Sequence, residues 1–82
     1  MKLLYSPKAR KQILKFEPVQ ALKISRKLKS LESYPFIGKG LTGKLKGYYS
    51  LRAWPFRIVY QIFIAEKVIL VDVIEHRQGV YK

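Results

Sequence analysis

The sequence predicts a two-layer α+β domain: a short N-terminal strand, a two-helix hairpin, then a three-stranded antiparallel meander packed on the helices. Three observations carry that prediction. Apolar residues recur at helical spacing between positions 7 and 33, they alternate at period two from position 48 onward, and a stretch rich in Pro and Gly separates the two regions. A chain of 82 residues has room for one core, so residues 1–82 are read as a single domain.

The first strand is Lys2 to Tyr5, ended by Ser6-Pro7, where Ser is a favoured N-cap and Pro a favoured first helical residue. From Pro7, Ala9, Ile13 and Phe16 fall on one helical face, with Leu14 widening it and Lys8, Arg10, Lys11 and Lys15 elsewhere. Glu17-Pro18 repeats the start signal. A second helix then runs to about Ser33, with Ala21, Ile24, Leu28 and Leu31 on its apolar side and Val19 and Leu22 beside it. Tyr34 to Leu41 (YPFIGKGL) reads as a loop, pinned to the core by Phe36 and Ile37.

Tyr48 to Ala53 alternates, with Tyr48, Ser50 and Arg52 on one face and Tyr49, Leu51 and Ala53 on the other. A turn at Trp54-Pro55 leads to a second strand, about Phe56 to Ile64. After a tight hairpin at Ala65-Glu66-Lys67 comes a third, Val68 to Glu75. Its nearly continuous apolar run suggests cover on both faces. The N-terminal strand is too short to stand alone and is expected to join this sheet.

Charge then narrows the function. The net charge is +12, and no carboxylate lies between Glu32 and Glu66. Within that zone Lys44, Lys46, Arg52 and Arg57 are interleaved with Tyr48, Tyr49, Trp54 and Phe56, a composition suited to a polyanion. The lysines of the helices are read as a solvated face and assigned no site. With no cysteine there is neither a disulfide nor a thiolate zinc site. No segment approaches the roughly 18 apolar residues of a spanning helix. The expectation is a soluble, unprocessed, cytoplasmic chain without membrane association.

A metal nuclease needs converging carboxylates, and the chain has five acidic residues in all, scattered along its length. Cofactors are therefore expected to be none. Metal-free RNA cleavage needs only proton donors and acceptors beside cations at the phosphate. His76, directly after the apolar strand, is either such a proton-transfer group or a structural histidine. Arg52 and Arg57 flank the Trp54-Pro55 turn, as phosphate forks or as surface arginines. Tyr48, Tyr49 and Trp54 either stack on bases or belong to the core.

The segment GKLKGYYSLRAWPFRIVYQI, the apolar strand and the ending EHRQGVYK closely resemble the RelE/ParE toxin superfamily of type II toxin-antitoxin systems. The pattern Leu-x-Gly, Leu-Arg, Phe-Arg-Ile-Val-Tyr, then His-Arg and Val-Tyr, carries the resemblance, which spans essentially the whole chain. It implies a toxin neutralised by an acidic antitoxin, with operator DNA met only through the toxin-antitoxin complex. In the RelE branch it implies a metal-independent endoribonuclease (mRNA interferase) that cuts mRNA on the ribosome through 2'-hydroxyl attack. The site residues it implies are Arg57 for transition-state charge, His76 as acid or base, Arg77 as a C-terminal cation, and Tyr81 for stacking or proton transfer. Lys44, Lys46, Tyr48 and Arg52 are the accompanying candidates for RNA binding.

Two departures stand out. Tyr48 and Ser50 occupy positions where the best-known members carry lysines, and Trp54-Pro55 replaces the usual Gly-Asp-type turn. The alternatives to cleavage are ParE-type inhibition of DNA gyrase by binding, and a catalytically degenerate member. Cleavage that used both groups would have Arg57 and His76 face a common cleft.

Overall fold

The computed structural model describes residues 1–76. The elements are β1 (Lys2–Tyr5), α1 (Pro7–Lys15), α2 (Pro18–Ser33), β2 (Lys39–Gly40), β3 (Tyr48–Ala53), β4 (Phe56–Phe63) and β5 (Val68–His76), with a 3-10 turn at Gly43–Leu45. They form one mixed sheet in the order β1-β5-β4-β3-β2, covered on one face by the helices. β1 runs parallel to β5, and the other neighbours are antiparallel. The expected α+β arrangement is present, with the meander extended to five strands by β1 and β2.

Both helices start where proline and a capping residue coincide. The Ser6 hydroxyl accepts from the Ala9 amide at 3.0 Å, and Pro7 and Pro18 open the first turns, where a missing N–H costs nothing. Ala9 of α1 and Ile24, Leu28 and Leu31 of α2 are buried against Leu51, Ala53, Phe56, Ile58, Tyr60, Ile69, Val71 and Ile74. Each large apolar side chain in this layer contributes about 1.5–3 kcal/mol relative to exposure. Leu14, Val19 and Leu22 lie outside it and are exposed.

β5 contains the irregularity that matters most for the site. Val71 pairs with Tyr60 and Val73 with Val59, so Asp72 is an extra residue between them. Such a bulge resets the alternation of side chains. Val71 and Ile74 are both buried in the core, an odd spacing that simple alternation forbids. The helix layer takes up the backbone groups around the bulge. Ser6 donates its hydroxyl to the Asp72 carbonyl, and Gln12 Oε1 accepts from the Ile74 amide at 2.8 Å.

Three expectations are corrected. β5 is covered on one face only, since Val68, Leu70 and Val73 on the opposite face are half-buried. Part of the predicted loop is a strand, because Lys39 and Gly40 pair with Ser50 and Tyr49. Phe36 and Ile37, 57% and 52% exposed, do not pin that segment by burial in the core, although the Phe36 ring meets Tyr49 at its edge. The buried Tyr60 does so, donating to the Pro35 carbonyl at 2.9 Å and accepting from the Gly38 amide at 3.1 Å.

Candidate nucleic-acid interface

The sheet face away from the helices is the open face, and strand register decides which side chains reach it. Ala53 and Phe56 point into the core, so Arg52 and Arg57, next to them in sequence, point outward. The two arginines are direct cross-strand partners, and Arg57 is in turn partnered by Glu75. Cross-strand partners share a face. The row Arg52, Arg57, Glu75 therefore runs across three strands at the end of the sheet beside the Trp54-Pro55 turn.

Like charges placed directly opposite in an antiparallel pair are destabilising, by up to about 1 kcal/mol. Glu75 offsets part of that repulsion. Its Oε1 lies 3.4 Å from Arg57 Nη2, with the two side chains 36% and 46% exposed. A half-solvated pair at that distance is worth at most about 1 kcal/mol. The row keeps a net positive charge with guanidinium donors available to solvent, a ready seat for a phosphate.

Tyr48 and Ser50 also face outward, opposite Gln61 and Val59. From Tyr48 to Arg52 the strand advances roughly 14 Å at ~3.4 Å per residue. Lys44 and Lys46 are exposed in the connection between β2 and β3, at the Tyr48 end. The structure thus separates the predicted RNA-binding residues into an arginine end and a lysine end. Tyr49 turns to the helix side, where its ring stacks on Tyr60 at 5.5 Å and meets Phe36 edge-on at 5.9 Å.

His76 lies on the other side of the sheet from Arg57. Its cross-strand partner is Phe56, and the two rings meet edge-on at 5.1 Å, with Phe16 a further 4.9 Å from Phe56. The expectation that Arg57 and His76 share a cleft is corrected, and the reason is the bulge. Alternation counted from Ile69 and Val71 would send His76 outward, and the extra residue at Asp72 turns it inward. The remaining site candidates, Arg77 and Tyr81, lie outside the described residues.

Sequence reasoning missed Glu75, the carboxylate within reach of Arg57, and Lys39, which pairs with Ser50 on the open face. The only local signal for Lys39 was its Gly-Lys-Gly setting. Among the described residues no group of three or more His, Cys, Asp or Glu side chains is arranged to hold a metal ion. No helix there is long and apolar enough to cross a membrane. The two tyrosines with displaced titration are structural. Burial raises Tyr60 above its ordinary value of 10.0, and burial with the nearby Glu32 charge raises Tyr5.

The fold is thus a two-helix layer on a mixed five-stranded sheet whose open face carries exposed cations. Similar solved structures include the isolated Escherichia coli RelE toxin (TM-score 0.79, 26% identity, 98% of this chain and 89% of that one). The RelBE2 toxin-antitoxin complex from Mycobacterium tuberculosis superposes with a TM-score of 0.84 at 23% identity, covering 93% of this chain and 96% of that one. A YoeB/ParE toxin from Agrobacterium tumefaciens gives 0.81 at 21%, covering 93% and 98%. Comparison with curated proteins gives no match. The family model for the ParE toxin of type II toxin-antitoxin systems (parDE) matches residues 3–80, and the chain belongs to that family.

Proposed function

We propose that this toxin cuts ribosome-bound mRNA, and that the open sheet face is where the RNA lies. The observation that carries the reading is the Arg52–Arg57–Glu75 row. Two guanidinium groups side by side, half-neutralised by one carboxylate, suit a phosphate that gains charge in its transition state. On binding, the phosphate competes with Glu75 for Arg57 and releases the carboxylate beside the reacting group.

In this reading Glu75 takes the 2'-hydroxyl proton, and the 2'-oxygen attacks phosphorus. The bond to the 5'-oxygen breaks, and the leaving oxygen receives a proton from Tyr81, the role implied by the family resemblance. The products are a cyclic phosphate and a 5'-hydroxyl end. His76 acts as a packing residue at the edge of the core. The free toxin, at net charge +12, is held in check in the cytoplasm by an acidic antitoxin that covers the basic face. The toxin-antitoxin complex from M. tuberculosis supports that partnership by fold.

Two observations favour a second reading. His76 faces away from Arg57, and Tyr48 and Ser50 stand where lysines would assist cleavage, as expected of a toxin that inhibits DNA gyrase by binding alone. Ribosome-programmed mRNA and supercoiling by purified gyrase, each treated with the toxin, separate the two. Cleavage products ending in cyclic phosphate support the first reading. Intact mRNA with inhibited supercoiling establishes the second, and neither effect marks a degenerate member.

A further inference from the structure

Lys39 has no part in the site described above, yet β2 holds it at a defined place on the same face. Its partner across β2 and β3 is Ser50, whose own partner on β4 is Val59. Arg52 is two residues along from Ser50, on the same face, which makes it a diagonal neighbour of Lys39. Diagonal neighbours in a sheet are roughly 7–8 Å apart, within reach of two long side chains. Lys39 is exposed, and among the described residues no carboxylate pairs with it.

Its register is fixed from both sides. On one side the Tyr60 hydroxyl accepts from the Gly38 amide at 3.1 Å, and on the other the Leu41 amide donates to the Tyr48 carbonyl at 2.9 Å. The backbone at Gly38 fits there only without a side chain. A Cβ at that position would come within 2.5 Å of the Tyr60 hydroxyl and 2.9 Å of the Ser50 carbonyl oxygen. A two-residue strand is too short to fix its own register, so this anchoring determines which way Lys39 points.

The rest of the open face differs. Past β4 it carries Leu4, Val68, Leu70, Val73 and the single acid of the row, Glu75, with Lys2 alone at the far edge, a mostly apolar surface that does not suit a polyanion. Along β2 and β3, by contrast, cations and hydroxyls follow one another from end to end. Lys44 and Lys46 lie at one end, Tyr48, Ser50 and Lys39 in the middle, and Arg52 with Arg57 at the other.

We propose that Lys39 is the middle cation of a continuous strip along β2 and β3, and that this strip binds the backbone of an extended single strand of RNA running parallel to those strands. The inference rests on the proposed action on RNA and adds to it the path of the chain and a contact residue. Lys39 bridges the gap of roughly 14 Å between the lysine and arginine ends, so successive phosphates find a cation along the whole strip.

The test is binding of a short single-stranded oligoribonucleotide to the full chain, followed by fluorescence anisotropy from about 50 to about 200 mM salt. Each phosphate neutralised on a single strand contributes about 0.7 to the slope of log affinity against log salt. Lys39→Gln is expected to lower the slope by about 0.7, Lys39→Arg to restore it, and Lys27→Gln, on exposed α2 surface, to leave it unchanged. If Lys39→Gln keeps the wild-type slope while Arg52→Gln lowers it, the strip is wrong and the arginine row still stands. If the wild-type chain binds the oligonucleotide without salt dependence, both the strip and the RNA reading fall.

Discussion

Tyr60→Phe removes one oxygen atom from the core and reveals how much of the open face depends on it. The tyrosine is fully buried, and its ring stacks on Tyr49 at 5.5 Å, an arrangement Phe retains. Two hydrogen bonds disappear, the donation to Pro35 at 2.9 Å and the acceptance from Gly38 at 3.1 Å. A typical intramolecular hydrogen bond contributes about 0.5–1.5 kcal/mol, and a buried group left without its partner costs about 1–3 kcal/mol. Both backbone groups here are part-buried, so water recovers some of the loss, and the expected destabilisation is about 2 kcal/mol. For a domain of this size that lowers Tm by about 10 °C.

The same residue sets a pH signature. Burial raises the Tyr60 phenol above its ordinary value, so the folded chain holds this proton more tightly than the unfolded chain. Its contribution is complete below the unfolded value of 10.0 and is lost as pH rises from there through the folded value. Urea titrations at neutral pH and at a series of pH values above 10 measure both effects. In Tyr60→Phe the alkaline decline becomes shallower without vanishing, because Tyr5 is raised as well. A variant within about 0.5 kcal/mol of wild type at neutral pH, with an unchanged alkaline decline, would refute the role given to this hydroxyl.

Three further outcomes follow from the geometry. Gly38→Ala forces a Cβ against a backbone carbonyl and should destabilise by about 1–3 kcal/mol in urea denaturation, because the Ser50 oxygen cannot move without its strand. Ser6→Ala removes both the α1 cap and the bond to the Asp72 carbonyl, with an expected loss of about 1–2 kcal/mol in the same assay. Glu75→Gln releases Arg57 from its ion pair, so oligonucleotide affinity at low salt should rise while cleavage of ribosome-bound mRNA falls about 10²–10⁴-fold. A rise in both, measured side by side, removes Glu75 from the chemistry.

The fold was legible where local chemistry and pattern agree. Ser6-Pro7 and Glu17-Pro18 marked both helix starts, and alternation from Tyr48 to Ala53 separated Arg52 from Leu51 and Ala53, the face that the structure buries. β2 was illegible because two residues, Lys39 and Gly40, have no periodicity of their own, and their pairing depends on a hydroxyl from distant Tyr60. The face of His76 was illegible for a different reason. Alternation within β5 is correct on each side of Asp72 and wrong across it, and only pairing with β4 reveals the extra residue. The apolar run of β5 suggested two covered faces because Val68, Leu70 and Val73 look like core residues. They are half-exposed beside the basic half of the open face.

The most direct measurement is the single-turnover rate of mRNA cleavage on programmed ribosomes for Arg57→Ala beside His76→Phe. Arg57 lies on the face assigned to RNA, and its loss is expected to slow cleavage about 10²–10³-fold, as for other groups that stabilise charge in a transition state. His76 packs against Phe56 on the helix side, so His76→Phe should cleave at close to the wild-type rate. A His76→Phe enzyme as slow as Arg57→Ala would place the histidine in the chemistry and contradict the account.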